Sequence, residues 1–127
     1  MTMAEGVVRH DALRVRDGQL TLAVGLPWYR SLPLSCLESV DVAVAGAPVA
    51  IRSVAVPGFS GPIDAAAGSD ATWDLRDRLD VTLGTEAERG AVVALEVTVA
   101  VRIPYIQQAP GVPLVQRAVV RTEATIR

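Results

Sequence analysis

No lysine occurs among the 127 residues, and the chain has one histidine, one cysteine and five aromatic side chains. Each scarcity removes a kind of chemistry. Without lysine there is no amine to form a Schiff base or act as a lysine general base. The twelve basic residues are all arginine, which reads as the signature of a GC-rich coding bias. Cys36 is the only cysteine, so no intrachain disulfide can form, a pattern that fits a reducing compartment. His10 and Cys36 are far apart in sequence, and a metal centre needs three or four converging ligands. No metal is therefore expected in this chain. The formal net charge of -2 supplies no attraction for nucleic acid or an anionic membrane. No apolar run approaches the roughly 20 residues of a membrane span. Met1 to His10 holds no signal-peptide core. The expected location is the cytoplasm, with neither nucleic acid nor membrane as a partner.

What is present is a period of two. Half the residues are apolar, enough for one core in a chain of this length. Val93, Leu95, Val97, Val99, Val101 and Ile103 alternate with Ala94, Glu96, Thr98, Ala100 and Arg102. Leu20, Leu22, Val24 and Leu26 alternate in the same way, as do Val40, Val42 and Val44. Leu114 to Ile126 reads as a long strand with Arg117, Arg121 and Glu123 on its polar face. This is strand rather than helix periodicity. Asp17-Gly18 is a two-residue hairpin signal. Ala45-Gly46-Ala47-Pro48 separates strands near 39–44 and 49–56. Pro104 to Pro113 reads as a ten-residue loop between the two longest strands. Pro57 to Asp70 reads as a second, mobile connection, and the Leu75/Leu79 spacing leaves room for a helical turn. The prediction is an all-β chain: a single antiparallel, immunoglobulin-like β-sandwich of about eight strands, spanning residues 1–127 as one domain.

Autonomous catalytic sites are hard to assemble from these residues. His10 and Cys36 could form a nucleophile pair, but a lone cysteine is more often a small buried hydrophobe. Asp74, Asp77 and Asp80 could do acid–base work, but the interleaved Arg76 and Arg78 favour a salt-bridged surface. Trp73 beside them reads as an anchor to the core. Tyr105, Gln107 and Gln108 could hydrogen-bond a sugar or a protein backbone. Gly58-x-x-Gly61 lacks the strand–glycine–helix order of a phosphate loop. Ala43, Ala94 and Ala100 stand on nominal solvent faces, where small apolar residues permit close contact with another surface.

One stretch is out of character with the rest. Leu26 to Cys36 gathers two of the five aromatics, the cysteine and two of the eight prolines into eleven positions. Pro27-Trp28-Tyr29-Arg30-Ser31-Leu32-Pro33-Leu34-Ser35-Cys36 resembles the corresponding part of the small β subunits of bacterial C-glycoside deglycosidases. Leu13-Arg14-Val15-Arg16-Asp17-Gly18 is similar too, and Trp73…Asp77-Arg78 and Arg102-Ile103-Pro104-Tyr105 fit more loosely. The resemblance spans most of the chain except Pro57 to Ala71.

That resemblance implies a two-component enzyme. Its α subunit is a xylose-isomerase-like TIM barrel that carries a divalent metal, expected to be manganese. The complex cleaves the C–C bond between a sugar and an aromatic aglycone such as a flavonoid, acting on the 3-oxo glycoside. The β subunit is a β-sandwich that supports the α subunit beside the substrate and brings no metal or cofactor of its own. The expected contact with the partner is Pro27, Trp28, Tyr29, Arg30, Ser31 and Leu32, with Tyr105. An alternative reading is a stand-alone carbohydrate-binding sandwich, marked by an exposed stacking platform of Trp28, Tyr29 and Trp73.

Overall fold

A computed structural model describes residues 6–127. The chain opens with a hairpin of β1 (Leu13–Arg16) and β2 (Gln19–Val24). Asp17 and Gly18 turn it with φ of 49° and 78°, the two positive angles that a type I′ turn requires. The register sets Leu13 against Leu22 and Arg16 against Gln19. Leu20, Leu22 and Val24 are fully buried.

A short strand β3 (Leu32–Pro33) and a 3-10 turn (Leu34–Cys36) lead into β4 (Leu37–Val44). Ala45 and Gly46, at φ 53° and 83°, fold the chain back into β5 (Ala47–Val49). The stretch predicted as one strand near 49–56 is two elements. β5 stays with β4, and the chain then crosses at Ala50 into β6 (Ile51–Val56) of the opposite sheet. The predicted mobile connection is also structured. β7 (Phe59–Gly61) folds back on β6, and a 3-10 segment (Ile63–Gly68) buries Ala66. β8 (Thr72–Trp73) pairs with β3, and β9 (Leu79–Leu83) follows a β-turn at Asp74–Asp77, where a helical turn was possible.

The two long strands exceed their predicted lengths. β10 (Val92–Ala109) and β11 (Val112–Thr125) pair without interruption from Val92↔Thr125 to Ile103↔Leu114. The predicted loop 104–113 is instead the far end of this hairpin, bulged after Ile103 and turned at Pro110-Gly111. Beyond Ile103 both faces are mostly exposed, so the hairpin projects as an arm past the core.

The strands form a five-stranded sheet, β1-β2-β9-β6-β7, and a four-stranded sheet, β11-β10-β4-β5. These are the immunoglobulin orders A-B-E-D and G-F-C-C′ with one added edge strand. Among the described residues there are eleven strands, against an expectation of about eight. The strands that the sequence did not announce are β3, β5, β7 and β8, each too short to show a period of its own. Leu79, Val81, Leu83 and Val54 of one sheet and Leu95, Val97, Val99, Val101 and Ile103 of the other belong to a single buried cluster. Each such side chain contributes on the order of 2 kcal/mol when removed from water. Leu32, opposite Trp73, plugs one end: they are 2% and 1% exposed.

A candidate functional site at the aromatic end

Three distant segments meet at that plugged end. Trp28 donates its indole Nε1 hydrogen to Tyr105 Oη at 2.6 Å, joining the loop after β2 to the base of the projecting arm. The Leu75 amide donates to Ser31 Oγ at 2.8 Å, joining the same loop to the turn before β9. That turn is itself fixed. The Asp77 amide bonds to the Asp74 carbonyl at 2.9 Å, and Trp73 Nε1 donates to the Asp77 carbonyl at 3.1 Å. Tyr29 lies against Trp28 with ring centroids 4.6 Å apart, and the Arg30 guanidinium stands 6.0 Å from the Tyr29 ring centroid.

The outcome is an outward patch on a rigid base. Trp28 is 8% exposed, whereas Tyr29, Leu75 and Tyr105 are 56%, 49% and 54% exposed. Half of the large exposed apolar side chains among the described residues gather here, the others being Val92, Val112 and Val119. Aromatic and leucine surface concentrated in this way marks an interaction site. Pro27 and Leu32 are buried within the chain, so they shape the loop and the surface it offers is Tyr29, Arg30 and Ser31. Tyr105 accepts from Trp28, so its own hydroxyl hydrogen is not used in that bond and is available to donate.

Leu75 is the residue that sequence reasoning missed. Its spacing from Leu79 resembles a helix face, but Leu79 is fully buried on β9 while Leu75 tips the turn. Its signal was an isolated leucine inside the charged run Asp74-Leu75-Arg76-Asp77.

The other candidate residues are dispersed. Cys36 is buried and reduced, His10 is exposed on the turn before β1, and no hydrogen bond joins them. Asp74 is held by Arg76, whose amide and Nε both reach Oδ1, at 2.9 and 3.1 Å. The side-chain hydrogen bond from Arg76 keeps the Asp74 carboxyl below its ordinary range. Asp80 faces Arg16 across a 3.9 Å ion pair on the outer face of the five-stranded sheet, away from that turn. Arg78 gives its guanidinium to the Val7 carbonyl at 3.2 Å and to the Gly6 carbonyl, and burial pushes its pKa down. Among the described residues no three of His, Cys, Asp and Glu converge as metal ligands. Gln107 and Gln108 are exposed on the arm, where Gln107 Oε1 accepts from the Gly111 amide at 3.4 Å. Trp73 faces the core and Trp28 is nearly covered, so Trp28, Tyr29 and Trp73 form no exposed stacking platform. No helix among the described residues is long and apolar enough to cross a membrane.

The fold and this surface define an immunoglobulin-like sandwich that presents one aromatic end. No protein-family model matches the chain. The 3′-dehydrocarminate deglycosidase β subunit of a Microbacterium species is 32% identical over 114 residues, covering 87% of this chain and 85% of that protein. The C-glycoside deglycosidase β subunit of Arthrobacter globiformis is 38% identical over 55 residues, covering 43% of this chain and 37% of that protein. This chain belongs to the family of deglycosidase β subunits.

Proposed function

We propose that the chain is the non-catalytic β subunit of a heteromeric C-glycoside deglycosidase, docked through its aromatic end onto a TIM-barrel α subunit. The observation that carries this reading is likeness along most of the chain to a protein named as a deglycosidase β subunit, with a second such protein matching a shorter part. The geometry adds a place for the contact. Tyr29, Leu75 and Tyr105 expose apolar surface on a base fixed by hydrogen bonds, so little entropy remains to be lost on docking. Aromatic and arginine side chains are the commonest hot spots of interfaces, and Arg30 lies beside them.

In this reading the chemistry belongs to the partner. A ketone at C3 of the sugar acidifies the C2 proton, and a base of the α subunit removes it. Elimination then breaks the bond between C1 and the aglycone, whose carbon leaves with the electron pair and takes a proton. A divalent metal, manganese in our reading, is held by the α subunit. This chain's part is to hold the barrel's rim and to border the 3-oxo glycoside.

Co-expression with the barrel subunit of the same genome tests the proposal. The pair should co-purify and release aglycone from a 3-oxo C-glycoside, while this chain alone should not. A chain that cleaves unaided, or that fails to associate with the barrel, contradicts it.

A further inference from the structure

The two sheets have four outer strands, and three of them are blunted. β5 has three residues and includes Pro48, and β7 has three residues. β1 has four, and Leu13 and Val15 are already bonded to Arg127. Short, proline-bearing or covered edges resist pairing with other chains. β11 is different. It has fourteen residues, its one proline is Pro113 near the start, and its pairing with β10 carries no bulge from Leu114 to Thr125.

Which of its backbone groups are open follows from the register. The Ala94 carbonyl accepts from the Ala45 amide beyond β4, so the even residues of β10 address β4 and the odd ones address β11. Through the pairs Leu95↔Thr122 and Val97↔Val120, the even residues of β11 then bond to β10. The odd residues from Val115 to Thr125 turn their N–H and C=O groups outward. Arg127 continues the odd series, and its groups are the ones that reach Leu13 and Val15. Among the described residues nothing pairs with the edge before it. The side chains of the same odd residues stand on the outer face, where Val119 is 42% exposed.

We propose that this edge pairs with the same edge of a second copy, antiparallel about a two-fold axis at Val120, merging two four-stranded sheets into one. Charge selects the register. Centring on Val120 sets Arg117 against Glu123 twice. Centring on Val119 opposes Arg117 to Arg121, and centring on Arg121 opposes that residue to itself. Centring on Thr122 requires the Arg127 groups that β1 already holds. Centring on Ala118 brings Pro113, which has no N–H, to a hydrogen-bonding position. Arg121 is engaged by Glu96 at 2.9 Å, whereas Arg117 and Glu123 make no ion pair among the described residues. The dimer supplies each with its partner. This surface shares no residue with the aromatic end, and the inference stands apart from the proposed function.

Sedimentation equilibrium on the full chain alone is the test. The wild-type chain should show a concentration-dependent dimer. Arg117→Glu or Glu123→Arg should raise its dissociation constant roughly a hundredfold, because two attractive cross-strand pairs become repulsive. Combining the two reversals should restore the wild-type constant. Val119→Pro removes an amide that serves only the open edge, so it should yield a monomer with the wild-type melting temperature. A wild-type chain that stays monomeric into the high micromolar range overturns the proposal. So does a dimer indifferent to Arg117→Glu, or a double reversal that fails to restore it.

Discussion

Trp28 does two things with one side chain. Its ring is nearly covered and supports Tyr29, and its indole N–H fixes Tyr105 from 77 positions away. A neutral hydrogen bond of this kind is worth about 1 kcal/mol net. Trp28→Phe and Tyr105→Phe should each lower unfolding free energy by about 1 kcal/mol, and the double variant should cost little more than either alone. Chemical denaturation of the four chains reads this directly. Additive losses would mean that the two side chains act separately. Ala45 makes the opposite kind of prediction. It holds φ at 53° in a turn where Asn or Gly is favoured, a strained choice for a residue with a Cβ. Ala45→Asn should raise stability by about 0.5–1 kcal/mol, visible as a higher melting temperature.

At the scale of elements, legibility in the sequence follows length. β2, β4 and the paired part of β10 announce themselves by alternation because one face of each is buried and the other is not. The Asp17-Gly18 turn is legible because only a few residues tolerate its angles. The division of 49–56 between two sheets is not legible, since a crossing at Ala50 leaves the apolar spacing nearly intact. Nor is the arm, because prolines and glutamines at 104–113 read as loop whether or not the backbone is paired. The site shows the same split. The Pro27–Cys36 stretch stands out by composition, but the contact of Tyr105 with Trp28 and of Leu75 with Ser31 are tertiary facts. A two-stranded arm exposed on both faces has little of its own to hold it, which fits an element completed by a neighbour. Val112, 42% exposed at its tip, gives a handle. Val112→Glu should leave the melting temperature within about 2 °C of wild type, since surface changes cost little. It should weaken binding to the barrel subunit about tenfold in a pull-down titration, by placing a charge against apolar surface. Wild-type binding by this variant would remove the arm from the interface.

The whole molecule distributes its surfaces by kind. The inner faces of both sheets are spent on one core, and the ion pairs lie on the outside, where each is worth at most about 1 kcal/mol. The aromatic end is proposed to meet the catalytic partner, and the β11 edge a second copy. An arrangement of that sort makes the sandwich a connector, with its rigidity as its contribution to the chemistry. The measurement that bears most directly on this account is the affinity of the barrel subunit for the Tyr29→Ala/Leu75→Ala chain, by calorimetric titration beside the wild type. Both side chains are exposed, so the variant should melt at the wild-type temperature. The account predicts a loss of affinity of about a hundredfold or more, as removal of two central apolar anchors entails. Wild-type affinity in a folded variant would contradict it.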